Sequence, residues 1–321
     1  MIPLLGQKTF LDLFPAPEFL LLSTAGIAVT DTDMKFVQLQ REIFGDGFKL
    51  ANSSKIDNPQ GIIESNVLKK LSSRYGIRYA HAVLPEEKAY LFTTTIGWVP
   101  PLGLKDAVAF IIEENAPVSL AESVFDFEII REDENAGEIK LSVSVVPKSV
   151  VSTYVEIFES ALITPISFDL ESQAIARAVI HRGDKRPHLI INLSLKKTGF
   201  YVVEEEVVQF STTPAYGIDE GDSYPSLNDL KAEMRKVFVF WNARTDKSDK
   251  PEKKIEKVIL CGLGASKTDF VEKLMSESEV PYALADVWLN MSPSRSHVAE
   301  IPFDESLGYA SVIGLVLPRG R

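Results

Sequence analysis

The chain has 321 residues, 45% of them hydrophobic and 25% charged, which is typical of a globular protein with about two domains. Its formal net charge of −11 disfavours nucleic acid and anionic lipid surfaces as direct partners. The single cysteine, Cys261, excludes an intrachain disulfide and indicates a reducing compartment. Because it follows an apolar run, we expect a buried structural thiol.

No stretch of the sequence reaches the roughly 18–20 apolar residues that a membrane-spanning helix needs. Residues 14–28 are apolar, but Pro15, Pro17 and Glu18 interrupt them and no basic segment precedes them. We therefore expect no signal peptide, and residues 1–17 are interpreted as a lead-in to a cytoplasmic protein.

The first half opens with a predicted β-hairpin. One strand ends at residues 26–29, residues 30–33 form the turn, and residues 34–39 return, with residues 48–56 as a third strand. Apolar residues at helical spacing then predict a helix that starts near residue 62 and stops near Gly76.

A compact α+β unit follows. Alternating strands and two helical patterns predict the order β-β-α-β-β-α over residues 79–162, which we interpret as an insert in the first half. Its first strand covers residues 79–84 and its last helix covers residues 148–162. The middle helix, residues 104–115, is expected to turn an apolar side inward that contains Val108, Phe110, Ile111 and Ile112.

The second half begins after a crossover at residues 182–187. Residues 187–217 contain the clearest pattern in the chain, three apolar strands separated by polar turns. An amphipathic helix at residues 226–243, a strand at residues 255–261, and helices at residues 268–277 and 308–317 follow.

Two similar hairpins, one early in each half, predict a duplicated α/β domain with a cleft between the halves. We assign residues 1–78 and 163–185 to the first half and residues 186–321 to the second. In such a duplication the two hairpin turns face each other across the cleft, so what they hold decides the function.

Four segments resemble those of a known family. They read ALITPISFDLESQAIARAV at residues 161–179, VLPEEKAYL at residues 83–91, VSVVPKSVVSTYVEIFESA at residues 143–161 and YASVIGLVL at residues 309–317. In order and spacing they are similar to the PilM family of type IV pilus assembly proteins. That resemblance implies a duplicated actin-like, ribonuclease-H-like ATPase fold, related to FtsA, with an inserted α+β subdomain.

The family's two phosphate-binding loops are altered in this sequence. In the first loop, GIAVTDTDMKFVQL, the family's acidic residue falls on Ala28 and its glycine on Thr30, while its lysine is kept as Lys35. In the second, NLSLKKTGFYVV, the aspartate falls on Asn192 and the glycine on Ser194. Glycines let backbone N–H groups approach phosphate, and the aspartates hold Mg²⁺, so both functions are weakened.

The family's adenosine motif is also altered, because LCGLGASKTDF keeps Gly262 and Gly264 but has Leu263 where the middle glycine falls. After Gly217 about ten residues precede the next helix, which are too few for the small helical subdomain that forms one wall of the adenine pocket. The resemblance therefore implies a degenerate member that has lost ATP binding and takes no cofactor.

In the first turn, Asp31 and Asp33 lie close to the lost aspartate position, but they would repel phosphate. In the second turn, Lys196 and Lys197 would attract it. We interpret both pairs as solvated turn residues.

The resemblance implies a non-catalytic scaffold of a type IV pilus, or of a related competence or secretion machine. Such a scaffold docks the cytoplasmic N-terminal segment of a PilN-like inner-membrane protein and contacts assembly or retraction ATPases. It would lie in the cytoplasm, peripheral to the inner membrane. The docking groove is expected between the first half and the insert, along residues 68–75, 79–95 and 124–146.

Two other functions remain open. The retained Gly262 and Gly264 are compatible with an ATP- and Mg-dependent actin-like ATPase that polymerises. A small-molecule kinase of the same superfamily would need a general base and an intact phosphate site, and the histidines (His81, His181, His188 and His297) are scattered without metal-ligand spacing.

Overall fold

A computed structural model describes residues 24–41, 47–58, 60–133, 135–218, 225–244, 253–291 and 301–319. The predicted lead-in at residues 1–17 and His297 lie outside the described residues, as does part of the segment after Gly217.

The strands, in chain order, are β1 (Thr24–Val29), β2 (Asp33–Arg41), β3 (Phe48–Asp57), β4 (Tyr79–Leu84), β5 (Tyr90–Gly97), β6 (Ser123–Asp133), β7 (Glu138–Pro147), β8 (Thr164–Leu170), β9 (His188–Leu193), β10 (Thr198–Glu204), β11 (Val207–Thr212), β12 (Lys257–Cys261) and β13 (Tyr282–Leu284). The α-helices are α1 (Ser65–Tyr75), α2 (Leu104–Asn115), α3 (Lys148–Ser160), α4 (Glu171–Val179), α5 (Pro225–Asn242), α6 (Thr268–Met275), α7 (Phe303–Ser306) and α8 (Ala310–Val316).

Two five-stranded sheets have the same strand order. The first is β3-β2-β1-β4-β8 and the second is β11-β10-β9-β12-β13. In each sheet three consecutive strands form an antiparallel meander, and two further strands join in parallel beside its first strand. This repeat confirms the predicted duplicated α/β fold and its two hairpins.

The second sheet explains why residues 187–217 carry the strongest pattern. Every residue of β9 and β10 is buried, and continuous apolar runs are typical of strands covered on both faces. By contrast, β3 at the edge of the first sheet has exposed or half-buried residues along its length, so its pattern in the sequence is weaker.

The insert is smaller than the sequence predicts. The strand β4 pairs in parallel with β1, where Ala80 lies opposite Ala25, and with β8 on its other side. In addition, Phe158 of α3 lies in one buried cluster with Leu68 and Leu71 of α1. The assignment of β4 and α3 to the insert is therefore wrong, because both complete the first half.

The remaining insert consists of β5, α2, β6 and β7, with a three-stranded sheet in the order β5-β7-β6. Leu104, Val108 and Ile112 of α2 are buried against this sheet, since residues four apart lie on one side of a helix. Phe110 is 81% exposed, so its predicted place on the apolar side is wrong.

The helices α4 and α8 contribute to the buried core that the two halves share. One buried cluster contains Val37 of the first sheet, Ile175 of α4, Leu189 of the second sheet and Val312 of α8. Over the residues described here, no helix is both long and apolar enough to span a membrane.

Candidate functional site: the cleft between the two hairpin turns

The two hairpin turns touch each other at the expected cleft. We call residues 30–33, between β1 and β2, the first turn, and residues 194–197, between β9 and β10, the second turn. The backbone N–H of Lys196 donates to Asp31 Oδ2 at 2.6 Å. Beside this bond, Lys197 Nζ lies 3.3 Å from Glu87 and 3.9 Å from Glu171. The prediction that the turns face each other is confirmed.

The first turn uses its backbone donors internally. The N–H of Thr30 donates to the Asp33 carbonyl at 2.7 Å. The N–H groups of Thr32 and Asp33 donate to Thr30 Oγ1 at 3.3 and 3.1 Å, and this hydroxyl donates to Asp33 Oδ1 at 2.8 Å. These donors are consequently not directed at a ligand, and Thr30 stabilises the turn where the family has glycine.

Two of the four backbone donors of the second turn, those of Ser194 and Lys196, are engaged as well. The N–H of Ser194 donates to the Lys197 carbonyl at 3.1 Å, and the N–H of Ile218 donates back to the Ser194 carbonyl at 3.1 Å. Thr198 donates through its N–H to Pro214 at 3.2 Å. With Lys196 bonded to Asp31, the segment after β11 and the first turn together fix the second turn.

The retained motif lysine forms a buried ion pair. Lys35 Nζ lies 2.5 Å from Asp33 Oδ1, and the two side chains are 1% and 2% exposed. The ring of Tyr309 lies 5.6 Å from the ammonium. Burial lowers the pKa of Lys35, and the Asp33 carboxylate opposes that shift. The charge of Lys35 is thus compensated inside the protein.

The two positions that correspond to the family's metal-binding aspartates provide no charge. Ala28 is buried and lies directly opposite Lys35 in the β1–β2 register. Asn192 is buried, and its Oδ1 lies 3.8 Å from Cys261 Sγ. Within the described ranges, no cluster of three or more His, Cys, Asp or Glu side chains could hold a metal ion. A magnesium ion with its phosphate ligand does not fit this set of residues.

Cys261 is buried, as predicted, and lacks the environment of a reactive thiol. Burial raises its pKa well above the usual range, and the Glu171 carboxylate adds to this effect. The thiolate needed for a nucleophile is therefore disfavoured.

In the adenosine motif, the side chain of Leu263 occupies space next to the cleft. Gly262 has a positive φ of 84° and donates its N–H to the Leu307 carbonyl at 2.8 Å. The side chain of Leu263 packs so closely on Gly308 that a Cβ there would lie 2.9 Å from Leu263 Cδ2. Leucine in place of the family's glycine thus fills space beside the cleft.

The remaining cavity between the turns has a volume of about 20 Å³. That is room for roughly one water molecule, whereas ligand pockets usually measure about 300–1,000 Å³. Of the predicted site residues, Ala28 and Gly264 do not line this cavity. The five that do are Thr30, Lys35, Asn192, Ser194 and Gly262.

A buried carboxyl near the cleft was not anticipated from the sequence. Glu86 follows β4, and its carboxyl accepts from the N–H and the Oγ of Ser172 at 3.0 and 2.8 Å. Burial raises the pKa of Glu86, while the hydrogen bonds from Ser172 and Ser211 oppose the shift. Glu86 thus caps the start of α4 although it lies 86 positions before Ser172 in the chain. A local sequence pattern cannot reveal a contact at that separation.

No family model matches the chain, and no curated protein does. A chain of the PilM-PilN type IV pilus biogenesis complex has a similar structure, with a TM-score of 0.76 at 16% identity over 94% of this chain and 100% of that one. The cytoplasmic domain of EpsL, an inner membrane component of the type II secretion system of Vibrio cholerae, matches with a TM-score of 0.49 at 8% identity, over 90% and 94%.

The ethanolamine utilization protein EutJ from Carboxydothermus hydrogenoformans matches with a TM-score of 0.47 at 11% identity, over 91% of each chain. We base the conclusion about the fold on the first of these three structures, the chain of the PilM-PilN complex. The chain has the duplicated, actin-like fold of the PilM-PilN chain, and the resemblance to PilM is confirmed at the level of the fold.

Proposed function

We propose that this chain with the PilM fold is a non-catalytic cytoplasmic scaffold of a type IV pilus, or of a related competence or secretion machine. It docks the cytoplasmic N-terminal segment of a PilN-like inner-membrane protein and so lies at the inner membrane. The similar solved chain comes from a complex of PilM with PilN, which supports the choice of partner. The observation that carries the lack of catalysis is the bond between Asp31 and Lys196.

That bond makes the cleft unsuitable for a nucleotide. The Asp31 carboxylate accepts the N–H that a phosphate would need, and a charge-assisted hydrogen bond of this kind contributes about 1.5–3 kcal/mol before solvent screening. A phosphate would have to displace it and lie beside the carboxylates of Asp31 and Asp33. With Ala28 and Asn192 in the metal positions, no compensating cation is attracted.

The partner site is proposed along the exposed margin of the insert. Leu84, Val146 and Leu170 already fill the contact between the insert and the first half. The strand β6 lies at an edge of its sheet, with Val124 and Ile129 exposed. An edge strand presents free N–H and C=O groups, to which an extended peptide can add as a further strand.

Nucleotide binding is tested by thermal unfolding and calorimetry with Mg-ATP. A ligand at about 100 times its Kd stabilises a protein by roughly 2.7 kcal/mol. We expect no shift at millimolar Mg-ATP. A Mg-dependent shift would instead favour the ATP-dependent switch, to which the retained Lys35, Gly262 and Gly264 belong.

Partner binding is tested by calorimetry with a synthetic peptide of the cytoplasmic N-terminal segment of the PilN-like protein. We expect Val124→Arg to weaken binding about tenfold, because the charge would be desolvated at the edge strand. Leu102→Arg is the matched control, since Leu102 is 96% exposed on the same insert but outside β6. Equal loss in both variants, or none in Val124→Arg, would exclude β6 as the partner site.

A further inference from the structure

A second, larger cavity lies at the opposite edge of the second sheet from the two turns. Its volume is about 580 Å³. His188 and Lys257, which begin the parallel strands β9 and β12, form its floor, and the crossover after α4 forms one side. The second turn follows the carboxyl end of β9, so the two sites are separated by the length of this strand.

The charge of this cavity is opposite to that of the chain as a whole. Three permanent cations line it, Arg182, Arg186 and Lys257, against one carboxylate, Asp184. Arg186 donates to both oxygens of Asp184 at 2.9 and 2.7 Å, and His188 Nε2 lies 3.0 Å from Asp184 Oδ2. The carboxylate is thereby compensated within the cavity wall, although the chain carries a net charge of −11.

Two cations are left over for a ligand. Among residues with defined positions, the Arg182 guanidinium and the Lys257 ammonium make no hydrogen bond or ion pair. His188 is buried, and its Nδ1 likewise has no hydrogen-bond partner among the described atoms.

One unfavourable feature of this cavity is offset, and part of its lining can contact an apolar body. The carboxyl end of α4 would oppose an anion, but Asn290 Nδ2 donates to the carbonyls of Arg177 and Ile180 at 3.0 and 2.5 Å and so covers that end. The rest of the lining consists of the apolar residues Val179, Ile180, Ile259 and Leu289, together with His181 and Gly183. The volume lies in the range of small-molecule sites.

We propose that this cavity binds a phosphate monoester with an apolar body, whose dianion is held by Arg182 and Lys257. Two unpaired cations match two negative charges, and a planar guanidinium binds phosphate oxygens in pairs. The apolar walls hold the body of the ligand. The site is independent of the proposed scaffold function, since it shares no residue with the cleft or with β6.

The test is calorimetry with phenyl phosphate and with inorganic phosphate. We expect saturable binding that is tighter for phenyl phosphate, because the phenyl ring removes apolar surface from water. Arg182→Ala and Lys257→Ala should each weaken binding about tenfold. Lys105→Ala, on the exposed surface of α2, is the control and should bind as the unchanged protein does.

Phosphatidic acid vesicles distinguish a soluble ester from a lipid headgroup. Co-sedimentation that Arg182→Ala abolishes would support the site and identify the headgroup as the source of the phosphate. The proposal is overturned if phenyl phosphate does not bind at millimolar concentration. It is equally overturned if Arg182→Ala and Lys257→Ala, shown to be folded by their thermal unfolding, bind phenyl phosphate like the unchanged protein.

Discussion

The two hairpin turns occupy equivalent positions in a duplicated fold, yet their chemistry is opposite. The first turn carries Asp31 and Asp33 and is closed by Thr30, whereas the second carries Lys196 and Lys197. Two equivalent turns that cradle one anion both need free N–H donors. Here the first turn provides the anion, the Asp31 carboxylate, and the second turn provides the donor, the N–H of Lys196. The two turns therefore bind each other in place of a shared anion.

This contact contributes less to holding the two halves together than their shared buried core does. A fully buried Val, Leu or Ile side chain contributes about 1.5–3 kcal/mol, and the cluster that joins the halves contains many, among them Val37, Ile175 and Val312. The partly exposed bond from Lys196 to Asp31 contributes about 1 kcal/mol after screening. The consequence of the bond between Lys196 and Asp31 is a closed cleft. Substitutions at three positions in or beside the two turns test how these turns are held.

The largest effect is expected from Asp33→Ala in the first turn. Removing the carboxylate leaves the Lys35 ammonium buried without its partner, which costs about 3–5 kcal/mol of unfolding free energy. Urea denaturation measures this loss. The double variant Asp33→Leu with Lys35→Met should recover most of it, since both charges are then absent.

Lys55→Ala is the control for Asp33→Ala, because Lys55 lies 3.7 Å from Asp33 but is 43% exposed. Its loss should stay within about 1 kcal/mol. If Asp33→Ala were as mild as this control, the buried pair would not be what shapes the first turn.

An intermediate effect is expected from Gly217→Ala behind the second turn. A Cβ at this position would lie 1.8 Å from the Leu195 carbonyl oxygen, so the turn must move, at a cost of about 1–3 kcal/mol. Thermal and urea unfolding measure the change. Gly97→Ala, where nothing lies within 4 Å, should be nearly neutral, and a similar loss in both variants would argue against the close approach.

The smallest effect, about 1 kcal/mol, is expected from Asp31→Ala, which removes the bond between the turns. The sharper measurement is hydrogen exchange at the Lys196 amide, which should become faster, since its acceptor is gone. Asp31→Asn keeps an oxygen acceptor and should protect that amide better than alanine does. An unchanged exchange rate in Asp31→Ala would mean that the turns are not joined in solution.

Local patterns predicted the elements well, and long-range pairing explains the errors. The hairpins, α2 and the strands of the second sheet follow from apolar runs, turns and spacing over a few residues. The assignment of β4 to the insert failed because its partner strands are distant in sequence. Ala80 of β4 lies opposite Ala25 of β1 and Pro165 of β8. For Phe110, hydrophobicity suggested burial, but its position around the helix, opposite Val108, leaves it exposed.

The sequence by itself determined the loss of charge and of glycines in the nucleotide motifs, because Ala28, Thr30 and Asn192 have those properties in any fold. It also determined the duplicated pattern of strands. Only the tertiary structure decided what replaced the lost ligand, since Asp31 and Lys196 are 165 positions apart. A contact at that separation exists because the two sheets dock through their buried cores, and no local preference of either turn encodes it.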